Sequence, residues 1–426
     1  MPDALQTKRR ELLTELFRDY AGPTFAIRLW NGWRWASLAG DKPAFTLVLE
    51  TPSALLAIVT NPNEVKLGEA FIRREIDVEG DIFSVFSVAE YLVSRPNNLL
   101  QRAKDLVLRS FVEAARWFHH GPQHSRKRDR ASISYHYDQP VEFFRPWLGS
   151  TLAYSCAYFR TIKDSLQLAQ EQKLDLICRK LRLQPLERFL DIGCGWGSLI
   201  LRAAQKHNVS AHGITLSRGQ AEEVRRRIED AGLRPRCKVE LRDYRDCEQL
   251  SGSFDKIASV GMFEHVGLKN LPSYFQAVHR LLRPGGTFLN HGIARSAVSE
   301  VRNNSFIDRY VFPDGRLVTL SEATIAAEAS GFEVRDVENL REHYELTLRR
   351  WVEGLRKHEA ELQNYVSEAT YRIWLLYLAG SAAAFRRGDI AVYQILFSRP
   401  EQGKCRLPLV REDWYATSNN EHEIEV

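Results

Sequence analysis

LDIGCGWGSL, residues 190–199, joins an apolar run to a glycine-rich turn and then to the start of a helical pattern. Upstream the run extends to RFLDIG, 188–193, which reads as a strand ending in glycine, and downstream GSLILRAAQKH, 197–207, has helical periodicity. Glycines at 193, 195 and 197 let the backbone turn tightly and approach a ligand closely. Their spacing is G-x-G-x-G, not the G-x-G-x-x-G of the dinucleotide fingerprint. A nicotinamide enzyme also wants an acid about 20 residues on, at the end of the second strand. That position reads GITLSRGQ, 213–220, without an acid. Asp191 before the turn, and no ribose acid after it, argue against NAD.

The pattern repeats outward from this turn. VSAHGIT (209–215) predicts a second strand, and SRGQAEEVRRRIEDAGL the following helix with Ser217 as its N-cap. CKVELRD predicts a third strand and FDKIASVG a fourth; LPSYFQAVHRLL predicts a helix and GTFLNHGI a fifth strand. Strands alternating with helices imply an α/β fold, a Rossmann-like, mostly parallel, doubly wound sheet with helices on both faces. Ligands of such sheets bind beyond the carboxyl ends of the strands. The fourth strand ends there in SVGMFEHVG, 259–267, which sets Glu264 and His265 side by side after an apolar run. A solvated helix start and an acid in a pocket both fit that stretch alone.

Composition sets the frame. The chain has 426 residues, 44% hydrophobic and 27% charged, which is globular composition for two or three domains. Its net charge of +5 is a modest excess that favours an anionic surface. Six cysteines form no CxxC pair and no zinc-ligand spacing, so free thiols in a reducing cytoplasm and no metal are expected. MPDALQTKRRELL lacks the apolar core of a signal peptide. IWLLYLAGSAAAF, 373–385, lies between Arg372 and Arg386 and is too short to span a bilayer of about 30 Å. Membrane contact is expected to be peripheral. No recognition fold with an aromatic stacking platform is evident, so nucleic acid is not an expected partner.

Four segments are expected. Residues 1–118 form a smaller N-terminal α+β domain, with a strand at FTLVLE (45–50) and an amphipathic helix at SVFSVAEYLV (84–93). Residues 119–134 form a basic linker in which four of the five residues Arg126–Arg130 are basic; it is either a solvated loop or an electrostatic foothold on anionic lipid. Residues 135–400 hold the main domain, and 401–426 a polar tail.

Taken together, LDIGCGWGSL, GITLSRGQ, YSCAYF (154–159), SVGMFEHVG, RYVFPDGRL (309–317) and HYELTLRRW (343–351) resemble the cyclopropane-fatty-acid synthase family, which includes the mycolic acid cyclopropane synthases. The likeness covers residues 135–400 in order, and LGEAFIRREIDVEGDIF (67–83) is similar to the family's small lipid-associated domain. The resemblance implies a class I methyltransferase using S-adenosylmethionine. It implies that Gly193, Cys194, Gly195 and Gly197 cradle the methionine part of the cofactor, that Asp191 is a further cofactor-binding residue, and that Thr215, Leu216 and Gln220 lie by the adenosine, with Gln220 on the ribose. Asp243 and Tyr244 would border the adenine, and Tyr154 and Ser155 would close the pocket. It also implies a bound bicarbonate ion at Cys156, Glu264, His291, Ile293 and Tyr344. Methylating an alkene makes a carbocation, and closing a three-membered ring requires a base within reach of the new methyl group. A small anion held by hydrogen bonds is such a base and stabilises the cation electrostatically. On this reading Glu264 holds the ion, His291 and Tyr344 donate to it, and His265 orients the loop or packs.

Blander readings stand beside these. Glu264 is also a helix-start charge, Cys156 a small buried hydrophobe, His291 a satisfied core histidine, and Tyr344 a surface aromatic. Two positions depart from the family pattern. Val141 in HYDQPVEFF (136–144) replaces an Asn, and Ser381 replaces a Cys that many members carry. The expected substrate is an unsaturated acyl chain of a membrane phospholipid and the expected product a cyclopropane ring. The alternatives are a methyl-branched or methylene product, or a non-catalytic lipid-binding relative. The expected location is the cytoplasm, at the membrane periphery, with a homodimer as a further expectation.

Overall fold

The computed structural model describes residues 2–38, 42–60, 62–94, 139–299, 305–311 and 317–415. The basic linker 119–134, the HYD of 136–138, the FPDG of 312–315 and the tail from 416 onward lie outside the described residues. The chain divides into two units, Met1–Pro122 with Arg302–Pro313 and Val366–Ala383, and Gln123–Val301 with Asp314–Tyr365 and Ala384–Val426. Two short segments from within 135–400 thus belong to the first unit.

The first unit holds a four-stranded sheet. Strands β1 (Phe25–Leu29), β2 (Arg34–Ala36), β3 (Phe45–Leu49) and β4 (Ile76–Gly80) lie in the order β2-β1-β3-β4, with β1 and β3 parallel and the other pairs antiparallel. All five residues of β3 are buried, as its apolar run requires, and Phe45 stacks on Phe25 at 5.4 Å. The helix Val85–Ser94 buries Val88 and Leu92 against this core. The Arg372 side chain crosses the same unit, donating to the carbonyls of Phe71 and Ile76 at 2.6 and 3.0 Å. It sits on the helix Glu368–Arg387, which contains the apolar stretch 373–385 and also Ser381. Among the described residues no helix is long and apolar enough to cross a membrane.

The second unit is built on seven strands: β5 (Arg188–Ile192), β6 (Ser210–Thr215), β7 (Cys237–Leu241), β8 (Phe254–Val260), β9 (Leu282–Arg295), β10 (Glu333–Asn339) and β11 (Ile390–Ser398). Their order is β10-β11-β9-β8-β5-β6-β7. The pairs from β9 to β7 are parallel, and β11 runs antiparallel to both β9 and β10. This is the expected mostly parallel sheet. The chain leaves β5 toward β6 and β7, then returns to β8 on the other side, so the switch point lies between β5 and β8.

Strand alternation sends successive side chains to opposite faces. Phe189 packs with Ile177, Ile200 and Val224 on one side, while Leu190 and Ile192 pack with Ile257, Tyr274 and Phe288 on the other. Asp191 follows the parity of Phe189, toward the helix Leu166–Leu181. Ser217 caps the helix Arg218–Asp230, its side chain accepting from the Gln220 N–H. The helix after the glycine turn begins at Ser198 with Gly197 as its cap.

Candidate active site

A cavity opens at the carboxyl ends of β5, β6, β7 and β8, on both sides of the switch point. The end of β5 supplies Asp191, Gly193, Cys194 and Gly195 to its wall; β6 supplies Thr215 and Leu216, with Gln220 from the following helix. Asp243 and Tyr244 come from the loop after β7, and Tyr154 and Ser155 from the segment before the sheet. Gly197 is not on the wall. At φ 81° its conformation starts the helix, and a Cβ there would meet Val224 at 2.9 Å. Gly193 has φ 78°, and a Cβ on it would lie 2.8 Å from that of Met262, so only glycine lets the two loops meet.

The wall is polar at chosen points. The Thr215 hydroxyl donates to Gln220 Oε1 at 2.8 Å, which orients the Gln220 amide nitrogen as the donor end of that side chain on the cavity wall. Asp243 accepts from the Arg245 guanidinium at 2.7 and 2.9 Å, and Tyr244 meets Tyr274 edge-on at 5.5 Å. Tyr154 stacks on Trp351 at 5.0 Å. Asp191 is buried, with no hydrogen-bond partner for Oδ1 among the described residues. Burial pushes its carboxyl up to about 7 against the pull of the Lys173 charge. An orphaned carboxylate beside a glycine cradle, with an amide poised for a ribose, fits the amino-acid and nucleoside ends of S-adenosylmethionine.

Cys156, Glu264, His291, Ile293 and Tyr344 do not line this cavity; they cluster beside it through a continuous set of backbone contacts. Ile293 N–H donates to Glu264 Oε1 at 2.8 Å. Ile293 and His291 pair in register with Val392 and Gln394 of β11. The Val392 carbonyl accepts from Leu340 N–H, and the Leu340 carbonyl accepts from Tyr344 N–H at 3.0 Å and from the Cys156 thiol at 3.8 Å. The His291 carbonyl accepts from the N–H of Gly261, a residue of the cavity wall, at 2.9 Å. His265 is on the wall itself.

Electrostatics in this cluster follow from its burial. The Glu264 carboxyl is pushed up to about 7 by desolvation, partly offset by the Ile293 N–H. The Cys156 thiol is pushed well up and stays neutral. His291 is held well below its ordinary value by burial and by the charges of Lys173 and Lys180, so its ring is neutral. Gln394 Nε2 lies 3.2 Å from His291 Nδ1; with the amide donating, the ring carries its proton on Nε2. His291 Nε2 and Glu264 Oε2 are both buried without a partner among the described residues.

Several contributors were not singled out from the sequence. Gln170 holds the carbonyls of Ala153 and Ser155, and Lys173 donates to Ser155 Oγ at 2.9 Å. Thr347 accepts from Ala157 N–H and His343 from Phe159 N–H, both at 3.0 Å, so one helix fixes the YSCAYF segment. A signal existed: Gln170 and Lys173 fall in the helical phase of Leu174, Ile177 and Leu181, where an apolar stripe is expected. Gln394 likewise interrupts the apolar run IAVYQILFS.

Comparison with known proteins agrees with this geometry. The family model described as mycolic acid cyclopropane synthetase matches residues 124–395, and a domain of unknown function (DUF7884) matches residues 12–99. The chain is 40% identical over 394 residues to a Pseudomonas putida protein named "Probable fatty acid methyltransferase", covering 91% of this chain and 95% of that one. It is 38% identical over 283 residues to the cyclopropane-fatty-acyl-phospholipid synthase of Escherichia coli K12, covering 66% and 72%. Among solved structures, the mycolic acid cyclopropane synthase CmaA1 complexed with SAH and CTAB superposes with a TM-score of 0.59 at 36% identity, covering 63% of this chain and 97% of that one. With the parallel sheet, the switch-point cavity and these matches in hand, the chain belongs to the mycolic acid cyclopropane synthetase family of class I S-adenosylmethionine-dependent methyltransferases.

Proposed function

We propose that the protein transfers a methylene unit from S-adenosylmethionine to the cis double bond of an unsaturated acyl chain in a membrane phospholipid, forming a cyclopropane fatty acid with bound bicarbonate as base. The observation that carries this reading is that Glu264 Oε2 and His291 Nε2 are both buried without a partner among the described residues, on segments that adjoin the cavity wall at His265 and Gly261. S-adenosylmethionine supplies an electrophilic methyl group. The C–S bond breaks as a C–C bond forms to one alkene carbon, leaving a cation on the other. The new methyl group then loses a proton, and its electron pair closes the ring.

Each residue has a role in that sequence. Gly193, Cys194, Gly195 and Asp191 hold the amino-acid end of the cofactor, and Thr215, Leu216 and Gln220 the nucleoside. Asp243 and Tyr244 border the adenine, and Tyr154 and Ser155 close the cavity. Bicarbonate, when bound, supplies the base. Glu264 and His291 hold it through the two unpartnered atoms, with Tyr344, Cys156 and the Ile293 backbone around it. Cys156, kept a neutral thiol by burial, offers the cation no nucleophile. The protein acts in the cytoplasm at the membrane periphery, and its N-terminal region, 1–118, serves lipid capture or dimer formation.

A second reading is favoured by the 40% identity to the Pseudomonas putida protein: the same cation, quenched differently, gives a methyl-branched or methylene chain. One experiment separates them. Unsaturated phospholipid vesicles, methyl-labelled S-adenosylmethionine and the protein are incubated with and without bicarbonate, and the fatty acids are analysed by mass spectrometry and proton NMR. The ring reading expects a gain of one CH₂ with upfield ring protons, dependent on bicarbonate. The same mass without ring protons selects the methylene product. Label outside the acyl chain sinks both.

A further inference from the structure

A buried ammonium is costly unless it is paired. Lys173 is 2% exposed, and its one hydrogen bond is the 2.9 Å donation to Ser155 Oγ. An ammonium has three donors, so two of its N–H groups find no acceptor among the described residues. Asp191, 2% exposed, makes no ion pair with Lys173 within 4.0 Å. Both residues nonetheless line the cofactor cavity, at the end where the glycine turn closes. Desolvation depresses the ammonium and raises the carboxyl, each moderated by the other's charge, as expected of two opposite charges near each other and not in contact.

The other cationic side chains on the wall are already engaged. Arg245 forks onto Asp243, and Arg242 pairs with Glu240 at 2.9 Å. The cavity thus presents, at one end, an ammonium with spare donors and a carboxylate with an orphaned oxygen. A zwitterion complements both at once. S-adenosylmethionine carries one, in the α-carboxylate and α-ammonium of its methionine part.

We propose that Lys173 recognises the α-carboxylate of S-adenosylmethionine, with the Ser155 hydroxyl as its partner in that contact and Asp191 facing the α-ammonium. The inference rests on the cofactor reading above and assigns Lys173, from the helix Leu166–Leu181, to the cofactor site. It also accounts for Gln170, three residues earlier on the same helix face. That amide fixes the carbonyls of Ala153 and Ser155 and so presents the Ser155 hydroxyl to Lys173.

Calorimetric titration of the full-length protein tests the assignment without reference to turnover. The ligands are S-adenosylhomocysteine, its decarboxylated analogue and 5′-methylthioadenosine, which lacks the amino-acid end. Wild-type protein is expected to bind S-adenosylhomocysteine about 30-fold or more tightly than the decarboxylated analogue, the scale of losing one partner of a buried charge pair. Lys173→Met is expected to bring that ratio close to one and to leave 5′-methylthioadenosine binding within about twofold. Lys173→Gln carries the same test if the methionine variant does not fold. A wild-type ratio near one overturns the proposal, and so does a ratio that survives either substitution. A merely structural lysine would weaken all three ligands together, which also overturns it. Failure of wild-type protein to bind 5′-methylthioadenosine would instead strike at the cofactor reading itself.

Discussion

Glu264, which the proposed mechanism sets on the bound base, also ties the protein's stability to pH through its burial. Replacing it by Gln keeps the Ile293 N–H acceptor and removes the ionisable oxygen. Glu264→Gln is expected to lower kcat by roughly 10²–10⁴, the range for losing general-base catalysis, because the bound base loses the carboxylate that holds it, with S-adenosylhomocysteine affinity unchanged by calorimetry. An unchanged kcat would remove Glu264 from holding the base. The same carboxyl also links stability to pH. Its folded value of about 7 lies above the ordinary 4.5, so the folded state binds the proton more tightly. Stability from this group is complete below about pH 4.5, falls as pH rises toward 7 and levels off above it. At about 1.4 kcal/mol per pH unit the difference is on the order of 3 kcal/mol. Urea unfolding at pH 5 and pH 8 checks it: Glu264→Gln is expected to lose much of the wild-type difference, and Asp191 contributes with the same sign. Gln394 acts on its neighbour. Gln394→Leu leaves His291 Nδ1 without its partner, at a cost of about 1–3 kcal/mol. In the wild type, ¹⁵N NMR of the ring is expected to report the Nε2–H tautomer, and a mixture in the variant. An Nδ1–H ring in the wild type would reverse the direction assigned to this hydrogen bond.

Loops and helices hold these residues by a few specific contacts. The turn after β5 depends on Gly193, whose positive φ and close approach to Met262 exclude a side chain. Gly193→Ala is expected to cost about 1–3 kcal/mol of stability and to abolish measurable S-adenosylhomocysteine binding; binding at wild-type affinity would show that the turn does not shape the cofactor site. The YSCAYF segment has no regular hydrogen-bonding pattern of its own and hangs on the helix Arg341–Lys357. Thr347→Val keeps the shape and strands the Ala157 N–H, which costs about 1–3 kcal/mol. Because Tyr154 and Ser155 line the cavity proposed for the cofactor, the apparent KM for S-adenosylmethionine is expected to rise more than kcat falls. A pure stability loss with unchanged KM would separate this segment from cofactor binding. The strands and helices around the turn were legible from periodicity because their faces are buried one at a time. The anchoring roles of Thr347 and His343 were not, because they depend on two segments some 190 residues apart in the chain coming into hydrogen-bond distance.

Taken as one chain, the protein carries a net charge of +5, no membrane-spanning helix among its described residues, and a proposed substrate that resides in a bilayer. On the proposed function, peripheral binding to anionic vesicles is expected. Co-sedimentation with phosphatidylglycerol-containing vesicles is expected at low salt and is expected to fall several-fold by about 0.3 M salt, where the Debye length has shrunk to roughly 6 Å. Equal binding at both salt concentrations would make the attachment apolar, and no binding at either would argue against a bilayer-resident substrate. The division of the chain was less legible than its sheet. A cut near residue 118 follows composition, whereas 302–313 and 366–383 join the first unit through tertiary packing. Glu64 accepting from Phe306 N–H and Arg372 reaching the Phe71 carbonyl are contacts that no local pattern announces.

Local rules were enough for the parallel sheet, its order of strands and helices, the glycine turn and the absence of a ribose acid, because each is encoded within a window of ten or so residues. The resemblance of separated motifs named cofactor-binding residues that, Gly197 excepted, line the cavity. Tertiary structure alone decided which polar groups are buried without partners. Asp191 and Lys173 become a matched pair of unmet charges only when strand parity turns one toward the helix that carries the other. Glu264 meets the strand that carries His291, through the Ile293 N–H, only when β8 and β9 pair. Burial, which sets the charge of all four, is a property of what surrounds a side chain in space, and sequence order does not contain it.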